Sequence, residues 1–428
     1  MLEGEPPIPV PPPPPAGSEA EKAELAEVFD LNRRRRDPQS LEAARRWSRG
    51  ACVGWNETAR LLVAKHRTDH ARASRIYALT AVAQHDALVS VWRNKILYKR
   101  RSPTALDGNI EPLYPLADDP SYPCAHAAVA TASALVLSYL FPDEAPSLSA
   151  LASGHRESRL WAGACFRSDV DAGDNIGRAV AALAIAHGKS DGHDEPPPPV
   201  VVVGDLPGRW ESAPGEMPVT AHWGAVKPWL IPSAQALRAP PPPGLDSPMF
   251  RTALDEVKRA SDRRTLSERR LAALWADGDG SYAPAGRWNK TACDLVSKHQ
   301  LDELEAGRTL GLLNLALMDV GIACWDSKYH YLVPRPSQLD PAITLPVGLP
   351  NHPSYPSAHA SFSGAAAGVL ARLFPADARH LREDAEEATL SRLHGGIHYR
   401  FDGDAGLAQG KAVAEIILSW SDAGRAST

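Results

Sequence analysis

The sequence lacks three features that would assign it to a class at once. It has only five cysteines in 428 residues, too few for a disulfide framework, and no CxxC pair that would indicate zinc. No apolar run reaches the roughly 18–20 residues of a membrane-spanning helix; the longest, residues 127–141, contains Ser and Thr and predicts a buried helix. No cationic stretch followed by an apolar one marks a signal peptide. We therefore expect a soluble protein without a membrane span, exported only if a leader has been removed and otherwise cytoplasmic.

Charge of one sign is also scarce. The net charge is −5, and the one cationic run is four arginines at positions 33–36. A run of this length is typical of a solvated helix end, and the chain has no basic domain of the kind that binds nucleic acids. We expect small-molecule partners and no nucleic acid.

What the sequence does contain is an internal repeat at a constant offset of 233 residues. The anchors align without gaps over more than a hundred residues, which chance cannot produce. Each anchor of the first repeat has its counterpart in the second: Trp55-Asn56 and Trp288-Asn289, Lys95 and Lys328, residues 120–123 and 353–356 (both Pro-Ser-Tyr-Pro), and residues 158–160 and 391–393 (both Ser-Arg-Leu).

The organisation of the chain follows from this repeat. Residues 1–20 are dominated by proline and predict an extended, mobile arm. Residues 21–190 and 246–428 carry apolar positions at helical spacing and predict two duplicated helical bundles, so the fold class is all-α. Between them, residues 191–245 are rich in proline and tryptophan, which predicts a connector that packs across the bundles. The valine run at 200–203 is the main strand candidate.

Three segments of the second repeat concentrate side chains that suit a tetrahedral oxyanion. Lysine supplies a point charge, arginine a fork of donors, and a backbone amide at a helix start a further donor. A histidine and an aspartate four residues apart lie on one helix face, so the carboxylate can fix the imidazole tautomer. The segments are residues 328–336, 352–359 and 391–402.

These segments resemble the pattern KxxxxxxRP, PSGH and SRxxxxxHxxxD of the type 2 phosphatidic acid phosphatase/vanadium-dependent haloperoxidase superfamily. Every charged position matches at the required spacing. The chain departs once, because Ala358 stands where the family has Gly. The amide is retained, but the added methyl group is expected to crowd a bound anion or to exclude a positive φ.

The resemblance implies a role for each matched residue. His398 would ligate vanadium in a peroxidase or be the phosphorylated nucleophile in a phosphatase, His359 would be the acid–base group, and Asp402 would orient His398. Lys328 would also polarise a bound peroxide. The residues implied to hold the oxygens of vanadate or phosphate are Lys328, Arg335, Ser357, the amide of Ala358, and Arg392.

Two further residues are candidates for a halide pocket. His352 lies seven residues before His359, where algal bromoperoxidases of the superfamily carry a histidine. Trp325 resembles a tryptophan that borders the halide site of fungal chloroperoxidase. Trp325 recurs as Trp92 in the first repeat, which favours a packing role, whereas Asp119 occupies the position that corresponds to His352.

The first repeat is predicted to have lost this chemistry. The arginine, the serine and the ligand histidine are replaced by Ser102, Cys124 and Cys165 respectively. The remaining positions are kept as Lys95, His126, Arg159 and Asp169. We expect Lys95 and Arg159 to form structural ion pairs.

The offset makes a geometric prediction about Cys124 and Cys165. Because Ser357 and His398 would face one small anion, the two sulfurs should be neighbours near His126. Two buried thiols, a disulfide, or a metal held by both cysteines and His126 are the three arrangements compatible with this placement.

Three functions remain open. The first is a vanadium-dependent haloperoxidase-like enzyme with vanadate as cofactor, which oxidises bromide or iodide with hydrogen peroxide. The second is a soluble phosphatase that needs no cofactor and forms a phosphohistidine on His398 from a phosphate ester. The third is a non-catalytic anion-binding protein. One pocket suits the first two, because five-coordinate vanadate resembles the transition state of phosphoryl transfer.

Overall fold

The computed structural model describes residues 8–35, 37–194 and 208–426. Within these ranges the protein is built from α-helices and short 3-10 helices with no β-strand, which confirms the all-α prediction. The valine run at 200–203 and the last residue of the arginine run lie outside the described residues. So do residues 1–7 of the predicted arm.

The helices of the first half end before the connector. They are α1 (Glu19–Arg34), α2 (Pro38–Trp47), α3 (Ala51–Lys65), α4 (His70–Tyr98), α5 (Pro103–Leu106), α6 (Ala125–Leu140), α7 (Ala145–Trp161) and α8 (Arg167–Lys189). The second half contains α9 (Pro248–Asp262), α10 (Leu266–Leu274), α11 (Ala283–Lys298), α12 (Glu303–Tyr331), α13 (Pro336–Leu339), α14 (Ala358–Leu373), α15 (Ala378–His394) and α16 (Arg400–Ala426). Single 3-10 turns lie at Pro142–Glu144, Trp223–Ala225, Gln235–Leu237 and Pro375–Asp377.

The duplication is visible in the helix boundaries themselves. Both ends of α4, α5, α6 and α7 recur at the same offset of 233 residues in α12, α13, α14 and α15. The two cis prolines, Pro123 and Pro356, are related by the same offset. So are Gly163 and Gly396, which follow α7 and α15 with φ of 72° in each case. The two repeats therefore share one backbone design.

By spatial contact the chain forms two compact units, each assembled from three segments. The first unit contains residues 1–62, 79–188 and 293–311. The second contains residues 63–78, 189–292 and 312–428. The start of α4 thus belongs to the second unit, and the start of α12 belongs to the first. The contiguous bundles predicted above describe the repeats along the chain, whereas the spatial units exchange these short segments.

In the first unit, the described part of the proline-rich arm is extended but not free. Its backbone at Ile8 accepts a hydrogen bond from Asn94 and donates one to Ser90 Oγ at 3.1 Å. The hydroxyl of Tyr98 donates to the carbonyl of Val10 at 3.5 Å. Because residues 90, 94 and 98 lie on one face of α4, they fix the arm along that helix. The expectation of a mobile arm is wrong for this stretch.

In the second unit, the connector packs against α12. Asp319, fully buried on that helix, accepts hydrogen bonds from the backbone amides of Trp229, Leu230 and Ile231 at 2.7–3.0 Å. The described part of the connector belongs to this unit alone. Trp229 and its neighbours therefore lie in a packed segment of the second unit.

Helix α12 is also an almost fully buried core helix. The segment Glu303–Leu339 is long and apolar enough to cross a membrane by length and composition, and 94% of its apolar window is buried inside the protein. Isolated polar residues interrupt the apolar run of this segment, so it did not stand out in the sequence as a long apolar helix. Burial on all sides is typical of a central core helix.

Two glycines bring α16 close to α14. A side chain at Gly406 would lie 2.7 Å from the carbonyl oxygen of Ser357, and one at Gly410 would lie 2.4 Å from that of Ser361. Glycines four residues apart thus open one face of α16 to the backbone of α14. This close approach places the start of α16, with Asp402, beside the start of α14.

Candidate functional site

His398 lies in the loop that leads into α16 and is held from both sides of its ring. Its Nδ1 lies 2.8 Å from Asp402 Oδ2, and its Nε2 lies 3.0 Å from Arg335 Nη1. Because a guanidinium can only donate, Nε2 is the acceptor and Nδ1 carries the proton. Burial, followed by the charges of Arg335 and Lys328, lowers the pKa of His398 well below its usual value. His398 is therefore a neutral imidazole with its Nε2 lone pair free of a proton.

Asp402 anchors this arrangement. Its Oδ2 also accepts a hydrogen bond from Ser354 Oγ at 2.5 Å and one from the amide of Tyr399 at 3.2 Å. Its backbone oxygen accepts from the amide of Ser357 at 2.9 Å. Burial raises the pKa of Asp402 to about 6. Ser354 was not predicted as a site residue, although its recurrence as Ser121 was visible in the repeat.

Arg335, immediately before α13, is fully buried. Its guanidinium donates to the carbonyls of His352 and Ile397 at 3.0 and 2.7 Å and approaches His352 Nδ1 at 3.2 Å. Burial lowers the pKa of Arg335 to about 10. The ring of His352 lies 5.2 Å from that of Trp325. The two halide-pocket candidates are thus neighbours of each other and of Arg335.

Lys328, in the last turn of α12, is fully buried as well. Its ammonium group donates to the carbonyl oxygens of Pro353, Ser354 and Pro356 at 2.8, 3.0 and 2.5 Å. Burial lowers the pKa of Lys328 to about 7. The loop that precedes α14 is therefore fastened to α12 by this one side chain.

The start of α14 supplies the predicted backbone donors. Ser357 is the N-cap, and its hydroxyl accepts from the amide of Ala360 at 3.5 Å. Ala358 is the first helical residue and is not among the residues with positive φ. The backbone therefore does not require the family glycine at this position, and the methyl group of Ala358 does not conflict with the observed φ. The amide of Ala358 belongs to the positive end of a 16-residue helix.

His359 is the second residue of α14 and is buried. Its Nε2 has no hydrogen-bond partner among the described residues. Burial and the charge of Arg392 lower the pKa of His359 well below its usual value. His359 is therefore a neutral histidine that presents an unpartnered nitrogen in a buried position.

His70, at the start of α4, contacts His359 and was missed by the sequence analysis. The two rings meet edge to face at 5.4 Å, and His70 Nε2 lies 3.1 Å from the carbonyl oxygen of Asp277. Its repeat counterpart, Glu303, lies 3.9 Å from His126 in the first unit. Each site thus receives the first residue of the other repeat's long helix. In the sequence, His70 differs from its counterpart Glu303 in charge, at the starts of α4 and α12. That difference alone does not indicate a functional site.

Arg392, near the end of α15, is buried beside this second group. It donates to the carbonyl of Ala272 at 2.6 Å and to Ser391 Oγ at 2.9 Å. Burial lowers the pKa of Arg392 to about 10. Among the described residues no carboxylate forms an ion pair with Arg392, Arg335 or Lys328, and Asp402 is paired with His398. The carboxylate whose charge acts on Arg392 is Asp277, which is itself paired with Arg287. The site therefore holds buried positive charge without an ion-pair partner of its own, which suits a bound oxyanion.

The predicted residues fall into two adjoining groups. One is hydrogen-bonded around Arg335, His352, His398 and Asp402, with Lys328 behind it. The other contains His359 and Arg392. His359 acts electrostatically on His398, so the two groups lie within range of one another. No direct bond between the groups is present in the described residues.

The corresponding place in the first unit is a relic site, defined here as Lys95, Cys124, His126, Arg159 and Cys165. Lys95 forms an ion pair with Asp119, as predicted for a structural role. Arg159 instead donates to the hydroxyl of Tyr114, so the prediction of an ion pair for this residue is wrong. Cys124 and Cys165 belong to one buried cluster, as the offset predicts, and both are free thiols in this structure.

Other groups of the relic site were not predicted. His126 Nδ1 lies 2.9 Å from His155 Nε2, and His155 Nδ1 accepts from Trp55 Nε1 at 3.1 Å. Arg100 donates to Asp169 at 2.7 Å. Neither His155 nor Arg100 has a polar counterpart 233 residues further on, so the repeat gave no signal for them.

The described chain is an all-α protein with two helical repeats, and the second repeat holds buried cations beside two histidines. The family profile of the PAP2 superfamily matches residues 74–189 and 309–425, more than half of the chain, and the chain belongs to this superfamily. The two matched segments correspond to the two repeats. No curated protein matches the chain.

Solved structures with this fold cover nearly the whole chain. A bacterial vanadium-dependent iodoperoxidase is similar with a TM-score of 0.68 and 21% identity, over 96% of this chain and 98% of the other. An apo-type bacterial vanadium-dependent chloroperoxidase has a TM-score of 0.62 and 14% identity, over 84% and 95%. A holo-type one has a TM-score of 0.60 and 16% identity, over 83% and 92%. At these identities the likeness shows the fold.

Proposed function

We propose that this protein is a vanadium-dependent haloperoxidase-like enzyme that holds vanadate at His398 and oxidises bromide or iodide with hydrogen peroxide. The observation that carries the proposal is the buried, unpaired positive charge of Lys328, Arg335 and Arg392 beside a neutral His398. Bound vanadate would supply a Lewis-acidic centre that activates peroxide. The likeness to vanadium-dependent peroxidases over most of their length supports the same reading.

In this proposal His398 is the protein ligand. A neutral imidazole can bind a metal only through a nitrogen without a proton, and Asp402 keeps the proton on the other nitrogen. A carboxylate behind a ligating histidine is the usual device for fixing its tautomer and raising its basicity. Arg335, which donates to Nε2 at 3.0 Å, would turn its donors to the oxygens of the anion.

The same residues would orient and neutralise the anion. Arg335 and Arg392 offer forked donors, Lys328 a point charge, and Ser357 with the amide of Ala358 short donors at the start of α14. None of these groups has to leave solvent when the anion arrives, because all are already buried. Preorganised donors of this kind stabilise a transition state without reorganisation.

His359 would be the base that takes a proton from peroxide. Its Nε2 has no partner among the described residues, and its lowered pKa keeps it neutral at pH 7. A neutral histidine can accept a proton. In the phosphatase alternative the same group would protonate the leaving alcohol, so His359 serves either reaction and the assays below separate them. The neighbouring His352 and Trp325 are proposed to border the halide.

The test is a comparison of two activities on one preparation. We expect bromide- or iodide-dependent halogenation of a dione indicator with peroxide after loading with vanadate, and no comparable hydrolysis of p-nitrophenyl phosphate without vanadate. His398→Ala should abolish halogenation, since it removes the ligand. The matched control, Cys165→Ala, changes the same position of the first repeat and should retain activity.

Each result has a distinct meaning. Phosphate-ester hydrolysis that His398→Ala abolishes, without halogenation, would favour the phosphatase. Vanadate binding with neither activity would favour a non-catalytic anion-binding protein. Halogenation by His398→Ala within about tenfold of the wild type would refute the site assignment itself.

A further inference from the structure

The relic site of the first unit contains a thiol pair. Cys124 lies directly before α6, and Cys165 lies two residues before α8. The amide of Cys124 donates to the carbonyl oxygen of Asp169 at 2.9 Å, and the amide of Phe166, next to Cys165, donates to Asp169 Oδ2 at 2.8 Å. Both residues belong to one buried cluster of the first unit together with Leu160 and Phe166. The pair therefore lies at the place where the second repeat has Ser357 and His398.

The surroundings of the pair are not symmetric. Cys124 is the N-cap of a 16-residue helix, whose positive end favours a negative charge. Arg159 is buried, and its Nε has no hydrogen-bond partner among the described residues. Its charge acts on both sulfurs. A thiol at a helix N-terminus beside an arginine is in the setting that stabilises a thiolate.

The two thiols differ in their place in the fold. Burial opposes ionisation of both, and the charge of Arg159 favours it at each. Only Cys124 also lies at the start of a long helix, as the N-cap of α6. Cys124 is therefore the thiol better placed to attack as a thiolate, with Cys165 as its neighbour.

We propose that Cys124 and Cys165 are an oxidation site for hydrogen peroxide, at which Cys124 reacts first and Cys165 closes an intramolecular disulfide. The placement of the two thiols against Arg159 and the start of α6 carries this inference. It goes beyond the proposed function, because it requires neither vanadate nor halide. Hydrogen peroxide is the only co-reactant, and it is a substrate of the proposed function.

The chemistry balances in two steps. The Cys124 thiolate attacks one oxygen of hydrogen peroxide, an S–O bond forms, the O–O bond breaks, and the leaving hydroxide takes a proton to become water. The sulfur of Cys165 then attacks the sulfur of Cys124, the S–O bond breaks, and the proton of Cys165 leaves with the hydroxyl group as a second water. Two thiols lose two electrons and one peroxide gains them.

The other three cysteines provide internal controls. Cys52, Cys293 and Cys324 are buried, and burial raises the pKa of each thiol. Thiols with raised pKa values in apolar surroundings react slowly with peroxide. Selective oxidation of one pair out of five thiols is therefore the expected result.

The experiment treats the reduced full-length protein with a small excess of hydrogen peroxide, without vanadate or halide. We expect the intact mass to fall by two hydrogens and a cross-linked peptide to join Cys124 to Cys165. Cys124→Ser and Cys165→Ser should each abolish the cross-link, and Cys324→Ser should retain it. His398→Ala should also retain it, which separates this result from the fate of the proposed enzyme activity. Circular dichroism of each variant checks that it is folded.

The rate tests the role of the arginine. Arg159→Gln should slow cross-linking by about tenfold, the effect of one pKa unit on the fraction of thiolate. Two thiols that stay fully open to alkylation after unfolding, a cross-link between other cysteines, or conversion of Cys124 to a sulfinic acid without a cross-link would each overturn the proposal. An unchanged rate in folded Arg159→Gln would overturn the part assigned to Arg159.

Discussion

Replacing Asp402 by asparagine removes the charge of this residue and nearly preserves its shape. In the wild type Asp402 Oδ2 accepts the Nδ1 proton of His398 at 2.8 Å and the hydroxyl proton of Ser354 at 2.5 Å. A neutral amide holds the Nδ1 proton less strongly, and an amide nitrogen placed there would donate to Nδ1 instead. Either change favours the tautomer with its proton on Nε2. That proton would point at Arg335 Nη1, itself a donor 3.0 Å away.

The size of the effect follows from the bond that is lost. A hydrogen bond to a charged group contributes roughly 1.5–3 kcal/mol, which corresponds to a factor of about 10–150 in an equilibrium constant. Loss of the carboxylate behind a ligating histidine typically costs about 10–100-fold in affinity for the bound group. We therefore expect Asp402→Asn to weaken vanadate binding by about 30-fold, with peroxidase activity reduced at least as much.

The assay is equilibrium dialysis with vanadate at pH 8, where the carboxyl of Asp402, with its pKa of about 6, is ionised. The control is Asp169→Asn, the same change in the first repeat, where the partner of the carboxylate is Arg100 rather than a histidine. It should leave vanadate affinity unchanged provided that its circular dichroism shows a folded protein. Affinity of Asp402→Asn within about threefold of the wild type would refute the tautomer argument.

Four further predictions follow from the site and its surroundings. Arg335→Ala should lower halogenation by about a hundredfold or more, whereas Arg159→Ala should change it by less than about threefold; equal losses would show that the repeats are not functionally distinct. Ala358→Gly should leave vanadate affinity within about threefold, because α14 begins with ordinary helical geometry, and a larger change in dialysis would mean that the methyl group contacts the anion. His70→Ala removes the ring packed against His359, so it should lower kcat about tenfold with little change in vanadate affinity. Parallel losses of kcat and vanadate affinity would indicate a purely structural role for His70. Burial raises the pKa of Asp319 to about 6 from 3.8, so the folded state binds its proton more tightly than the unfolded state, and this stabilisation is lost as pH rises between about 4 and 6. Relative to the wild type, Asp319→Asn should therefore gain up to about 3 kcal/mol in unfolding free energy from pH 4 to pH 7. Urea titrations that show a constant difference between the two proteins would contradict this.

The repeat predicted most of the backbone. A constant offset requires that insertions be absent between the anchors, so the four helices α4 to α7 have counterparts of equal length in α12 to α15. The observed boundaries of α4 and α12, and of α6 and α14, agree with this to the residue. The apolar spacing predicted helices, but not which helices share a compact unit. Packing partners depend on the direction in which each loop turns, and local periodicity contains no such information.

The candidate site was predictable where its charged residues match the spacing of the superfamily pattern. Arg335 and His398 lie 63 positions apart in the chain, and they meet at 3.0 Å as the pattern implied. His70 was not predictable, because it reaches His359 through the exchange of a short segment between units. Ser354 was not predicted for another reason. It recurs as Ser121 in the first repeat, and a residue that is kept where the catalytic residues are replaced is expected to have a structural role.

The relic site shows what happens to a buried cation when its anion is no longer needed. Lys95 has an ion-pair partner in Asp119, at the position of His352, and Asp169 has one in Arg100. The buried charges of Lys95 and Asp169 are thus compensated from within the chain, whereas the buried Arg159 donates to the neutral hydroxyl of Tyr114. Lys328 and Arg335 have no carboxylate of this kind among the described residues, although both are fully buried. At Lys95 the first repeat supplies a carboxylate, and at Lys328 the second does not; the proposed function accounts for this difference by a bound anion beside Lys328 and Arg335.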